Sequence, residues 1–434
     1  QYDYESRYFA SGSFRRDGSS NFHPDHRWGN FWSVGGAWIM SKEEWFPKNW
    51  WLNMIKVKLS YGEQGNDGIG SFRYVNTYNI SSSNGNVAFV FNAKGNENIT
   101  WETVSSLNAG LEFELFNSRL NGGLEFYNRN TRDMLMWFST PPSLGYSGYY
   151  DNIGDMRNTG IELELNADII TSRDITWSVG MNLTWEKNRV TKLPLDKRLL
   201  EVGGYGGYQD GDLFYGEGLP VNTWYLPRFA GLNENGESLF YRTNSTTGEM
   251  EATTNYETAD RYLCGTALPT VFGGFNTTVK AFGFDLSAQF NYSIGGKKYD
   301  STYAALMTPP YSTLTGKQLH RDVFNSWSPE NPDSNIPRFQ YNDQYTCSSS
   351  DRFLTDASYL GLRSINLGYT LPDVLVRKIG MSKLRIYCQA ENVYYWTKRQ
   401  GFDPRMGTLY GNYNSDSGYS FPMRTLSGGL SVEF

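Results

Sequence analysis

Hydrophobic and polar residues alternate along much of this chain, most cleanly at its end. From Arg424 to Phe434, Leu426, Gly428, Leu430, Val432 and Phe434 interleave with Thr425, Ser427, Gly429, Ser431 and Glu433. A period of two gives a β-strand with two unlike faces, and about 9–11 residues let a tilted strand cross a hydrocarbon layer. The same device recurs upstream. Leu107, Ala109, Leu111, Phe113 and Leu115 oppose Asn108, Gly110, Glu112 and Glu114; after a turn at Asn117-Ser118, Leu120, Gly122, Leu124 and Phe126 oppose Asn121, Gly123 and Glu125. Ile161 to Asp168 and Trp177 to Trp185 repeat it, the latter bracketed by tryptophans. Further strands are predicted at Tyr8–Arg15, Phe31–Met40, Ile55–Tyr61, Val279–Ala281, Leu286–Tyr292, Leu360–Tyr369 and Leu384–Ala390.

Three carboxylates on one face, Glu112, Glu114 and Glu125, are costly in a dry core and cheap beside a wet lumen. The pattern therefore predicts an all-β, antiparallel transmembrane β-barrel of roughly 14 strands. Long Gly/Tyr/Asp/Asn-rich segments (203–215, 299–318, 326–351, 399–422) separate strands that elsewhere join by short turns, as expected at the two unlike ends of an outer-membrane barrel. Phe434 reads as a terminal aromatic insertion signal.

Composition fits this picture. Mean hydropathy is -0.54 and no apolar run is long enough for a membrane helix, yet a barrel shows lipid only alternate residues. With 31 Tyr, 26 Phe and 13 Trp, the chain can furnish interfacial girdles or a sugar-binding surface. A net charge of -6 argues against nucleic acid. Cys264, Cys347 and Cys388 are too scattered for a disulfide framework or a zinc site.

Chemistry-bearing motifs are sparse. His23, Asp25 and His26 stand close together, but a proline interrupts them and a polar loop accounts for them; His320 is isolated. Asp210-Gly211-Asp212 and Asn66-Asp67 offer oxygens to calcium without completing an EF-hand, so no cofactor and no metal is expected. Glu112/Glu114 imitate a glycosidase pair, but such spacing recurs too often to mark one catalytic centre. No catalytic residue is expected. The candidate substrate-binding residues are loop aromatics and acids: Tyr205, Tyr208, Asp210, Asp212 and Phe214, then Tyr410, Tyr413, Asp416 and Tyr419.

Several segments resemble the SusC/RagA-type TonB-dependent outer-membrane transporters. They are FRRDGSS (14–20), KLSYGEQGNDGIG (58–70), NENITWET (96–103), LFNSRL (115–120), NIGDMRNTGIELEL (152–165), the stretch 273–300 and YLGLRSINLGYTLP (359–372). The resemblance implies a barrel of about 22 strands with a plug in its lumen, of which residues 1–434 form the C-terminal part, without the plug domain and the first strands. It also implies energy-coupled import of glycans or peptides in the bacterial outer membrane. Its implied partners are a SusD-like lipoprotein, TonB acting through the N-terminal part, and a second importer–lipoprotein pair. A passive porin and a secreted all-β glycan-binding protein or glycosidase stay open as alternatives.

Overall fold

The computed structural model describes residues 1–47, 49–83, 85–310, 318–343, 345–346, 348–398, 401–405 and 422–434. One antiparallel sheet of thirteen strands runs in strict chain order. Its strands are β1 (Tyr2–Tyr4), β2 (Tyr8–Gly18), β3 (Trp28–Ile39), β4 (Leu52–Asn66), β5 (Glu102–Leu115), β6 (Leu120–Arg132) and β7 (Asp155–Thr171). They continue as β8 (Ile175–Lys192), β9 (Val271–Ala281), β10 (Phe284–Ile294), β11 (Tyr359–Thr370), β12 (Lys383–Thr397) and β13 (Thr425–Glu433). β1 and β13 lie at opposite edges of this sheet, so the wall is open among the described residues. The count is one below the sequence-based figure, and several strands run further than alternation alone marks: β12 continues seven residues past Ala390 to Thr397.

Register makes the two faces continuous. Across the sheet, Trp38 pairs with Val57, Val57 with Leu111, Leu111 with Leu124 and Leu124 with Leu163. Leu163 meets Leu183, and further along Phe275 meets Phe290, Leu367 meets Cys388 and Ile386 meets Leu430. A one-residue slip anywhere would turn the rest of that strand's apolar set inward, so the pattern itself fixes the pairing. Trp177 and Trp185 both point outward, about 27 Å apart along β8, or about 20 Å along the membrane normal at a tilt near 40°. Tyr8, Trp45, Trp50 and Phe284 join the Trp177 level, with Trp38 half-buried beside them, while Phe14, Trp32, Tyr61 and Trp396 join the Trp185 level; all lie on the outward face or its adjoining turn. These are the two aromatic belts of a membrane barrel.

The ends of the wall differ. On one side the connections are 5–7, 40–51, 116–119, 172–174, 282–283 and 371–382. The shortest, Phe282-Gly283, has positive φ at both residues, which matches the right-handed twist of the flanking strands. On the other side the connections are 19–27, 67–101, 133–154, 193–270, 295–358 and 398–424. The dry clusters sit at this second end. One gathers Phe138, Ile153, Val190, Leu193 and Tyr208, another Leu213, Trp224, Leu226, Cys264 and Ala267, and a third Phe22, Ile69 and Ile99. The long connections thus carry their own sheets, a five-stranded one within 200–266 and a three-stranded one within 229–253, and 301–307, inside a segment that read as a loop, is a helix.

Candidate functional site

Two surfaces hold the polar chemistry: the rim formed by the long connections, and the inner face of the wall.

At the rim, the sequence-predicted residues separate. Tyr208 is 2% exposed, packing edge-on against Phe138 at 5.3 Å and stacking on Tyr215 at 5.3 Å; Phe214 is fully buried. Burial raises the Tyr208 hydroxyl well above its ordinary pKa and, with the Asp210 charge, pushes Tyr215 up to about 12. Tyr208 and Phe214, two of the predicted contact residues, are thus packed inside the rim in this structure. Tyr205 is open to solvent on the same ribbon. Asp210 accepts a hydrogen bond from Ser139 Oγ (2.8 Å), and Asp212 pairs with Arg261 (3.0 Å). Tyr410, Tyr413, Asp416 and Tyr419 lie outside the described residues. Phe434 follows β13 and is exposed.

Sequence reasoning missed the buried cation beneath this ribbon. Lys197 Nζ donates to the Tyr149 hydroxyl (2.9 Å), lies 3.1 Å from Asp151 Oδ2 and sits 3.8 Å above the Phe138 ring. Burial alone would lower its pKa, but the bonds to Tyr149 and Asp151 outweigh that and raise it. The neighbouring Asp196 stands 3.5 Å away, but the closer partners, Tyr149 and Asp151, arrive from another connection, which no local spacing marks.

The segments that carry the family resemblance meet at one place on the rim. Ser19 Oγ donates to Asp67 Oδ2 (2.5 Å), and Asn21 Nδ2 to the Asp67 carbonyl (3.0 Å). Trp101 Nε1 donates to the Arg27 carbonyl (2.9 Å) beside the Phe22–Ile69–Ile99 cluster. Asn152 Oδ1 accepts from Thr100 N (2.9 Å), while its Nδ2 donates to the carbonyls of Thr100 (3.0 Å) and Asp133 (2.8 Å). Asn96 Nδ2 adds a bond to Asp151 Oδ1 (2.8 Å). Four motifs that are far apart in sequence thus form one clasp tying three connections together.

His23 and His320 each accept a bond from a backbone N–H two residues on, those of Asp25 and Asp322, and so act as turn caps. Among the described residues, no group of three or more His, Cys, Asp or Glu stands within metal-binding reach of one another.

The inner face carries an ion lattice on β4 to β6. Lys56 and Lys58 hold Glu112 at 3.0 and 2.8 Å, and Lys58 reaches Glu125 at 3.5 Å. Of the two acids that looked like a catalytic pair, Glu112 is a partner of lysines from the neighbouring strand, and Glu114 accepts a hydrogen bond from Ser118 Oγ (2.8 Å). Toward the short turns, Arg385 grips Asp285 through two bonds of 2.9 and 2.5 Å, crossing directly over Gly368. A Cβ at that position would meet both side chains, so a larger residue on the strand between the partners must displace the pair.

Comparison with known proteins agrees with this architecture. Residues 1–262 match the family described as TonB dependent receptor-like, beta-barrel. TonB-dependent receptor P3 of Formosa agariphila is 28% identical over 469 residues, covering 100% of this chain and 44% of that protein. TonB-dependent receptor SusC of Bacteroides thetaiotaomicron is 26% identical, covering 93% of this chain and 40% of its own length. The RagAB peptide transporter matches in structure with a TM-score of 0.84 and 25% identity, over 99% of this chain and 46% of that one. The chain therefore spans less than half the length of these relatives, and it belongs to the TonB-dependent receptor-like β-barrel family, whose members are outer-membrane proteins.

Proposed function

We propose that this chain is part of the wall of an energy-coupled outer-membrane importer of the SusC/RagA type. Its cargo is nutrient oligomers, glycans or peptides. The observation that carries the reading is the family match on a wall that is apolar outside and polar inside over thirteen ordered strands. Relatives named as TonB-dependent receptors and a structural counterpart described as a peptide transporter support it. They are transporters and receptors, not enzymes.

An open edge leaves backbone groups unpaired in lipid, which a bilayer does not tolerate. Further strands and a lumen plug from polypeptide beyond the span described here would complete the barrel in this reading, and TonB would act through that part. A SusD-like lipoprotein would cap the end bearing the long connections, with two importer–lipoprotein pairs assembling as a dimer. On the rim, Tyr205 offers an open ring for stacking, and the Asp210 and Asp212 carboxylates lie nearby in the chain.

The test is uptake of labelled oligosaccharides and peptides by cells carrying the whole transporter, with and without TonB. Uptake that needs TonB supports the importer. Uptake of equal rate without TonB would return the chain to the porin class.

A further inference from the structure

The inner face is not uniform around the wall. Following the hydrogen-bonding direction, Lys56, Glu112, Gly123 and Glu164 form one row on β4 to β7, and Lys58, Gly110, Glu125 and Glu162 form the next. The first of these rows runs on into Asn182, Gly274, Asn291 and Gly361 on β8 to β11. The two rows nearer the short turns are Gly180, Asn276, Gln289 and Ser364, then Ser178, Thr278, Ser287 and Asn366. In these three rows, β8 to β11 present amides, hydroxyls and glycines, with neither a charge nor an apolar side chain.

Charge returns at the margins and at the β11 bulge, where Arg363 stands exposed between Leu362 and Ser364 with no register partner. Lys280, Asp285 and Arg385 stand toward the short turns, and Glu391 lies on β12. Toward the rim, Phe272 faces inward in the row that also holds Thr184 and Tyr359. The glycines keep the patch low: the Asn166 and Asn276 amides lie over Gly180, and Asn291 lies over Gly361. Asn291 donates to the Tyr359 hydroxyl (3.3 Å), but its Oδ1 is buried and accepts no hydrogen bond.

We propose that this uncharged wall is the surface along which cargo passes, and that the charged wall opposite it in sequence faces the plug. The inference rests on the importer reading. Passage needs many weak, exchangeable contacts, because a site that binds too well does not release. Neutral amides and hydroxyls supply such contacts to the hydroxyls of a glycan or the amides of a peptide. A lattice of fixed charges suits a lasting protein interface instead. The ligand class is an uncharged, hydrogen-bonding oligomer, led onto the wall by the Phe272 and Tyr359 rings.

The experiment uses the whole transporter in its complex, in cells with and without TonB. Asn276→Cys and Ser287→Cys report on the uncharged wall and Glu164→Cys on the charged one; heat-modifiable migration confirms that each variant forms a barrel. A small hydrophilic maleimide is added from outside, and the unsubstituted protein supplies the background from its own cysteines. With TonB, modification at Asn276→Cys and Ser287→Cys is expected to be about tenfold faster than at Glu164→Cys, where packed protein limits the reagent to transient openings. Adding a mixture of neutral oligosaccharides, or one of uncharged peptides, should slow it, and the effective mixture identifies the ligand source. Equal or faster reaction at Glu164→Cys overturns the assignment of the walls. Failure of both mixtures to protect overturns the ligand class. Fast modification that ignores TonB would instead refute energy coupling while leaving the wall assignment standing.

Discussion

Asn152 links the chain's most family-like motifs to a measurable energy. Its side chain makes three hydrogen bonds: two to Thr100 join connection 67–101 to connection 133–154, and the third, to the Asp133 carbonyl, lies within the latter. Each is worth about 1 kcal/mol net, and the one to Asp133 is exposed, so Asn152→Ala should destabilise the clasp by about 2–3 kcal/mol. At 1.36 kcal/mol per decade, local opening should become roughly 30- to 150-fold more frequent. Asn152→Asp is the sharper variant: it keeps the acceptor for Thr100 N but sets a carboxylate oxygen against two carbonyls. Hydrogen–deuterium exchange on the detergent-solubilised protein reads the effect directly at residues 96–101 and 150–152. Both variants should accelerate exchange there and leave the amides of β9 and β10 unchanged. Acceleration below about threefold at the clasp would mean that these bonds do not hold the rim, since exchange tracks the opening equilibrium.

Other consequences follow from the geometry. Gly368→Val should push Arg385 off Asp285 and lower the temperature of heat-modifiable migration, whereas Ser364→Ala on the same strand should not. Trp177→Ala or Trp185→Ala removes a belt ring and should cost about 1–3 kcal/mol of barrel stability, read by urea unfolding in lipid vesicles. Lys197→Met should keep the packing over Phe138 but leave Asp151 without its cation, raising protease sensitivity within 193–202; an unchanged cleavage rate would show that packing alone suffices there. Asp356 is held below the usual carboxylate pKa chiefly by Ser358. Its contribution is therefore present above the unfolded value near pH 3.9 and is lost as pH falls through the lower folded value. Intrinsic fluorescence between pH 5 and 2 should show an acid transition that Asp356→Asn weakens.

Much of the wall was legible from alternation, because a barrel strand must present one face to lipid and the other to water. Leu107 to Phe126 and Trp177 to Trp185 read correctly by face and turn. The long connections were not legible in the same way. Their Gly, Tyr and Asn content signals turns, yet residues 200–266 build a packed sheet whose pattern is broken every few residues. Tyr208 and Phe214 looked like binding aromatics for that reason, and both are buried in the folded rim. Pairs such as Asp285–Arg385 and Lys197–Asp151 depend on register and loop packing between distant residues, which no local spacing encodes. The family-like segments carried more information than their composition shows, since they converge on the clasp around Asp67, Trp101 and Asn152.

Native mass spectrometry of the complex extracted in mild detergent tests the central claim most directly. The importer account predicts this wall in a polypeptide that also carries a plug, bound to a surface lipoprotein. A folded, membrane-extracted wall found with neither plug nor lipoprotein would contradict it and establish a passive pore.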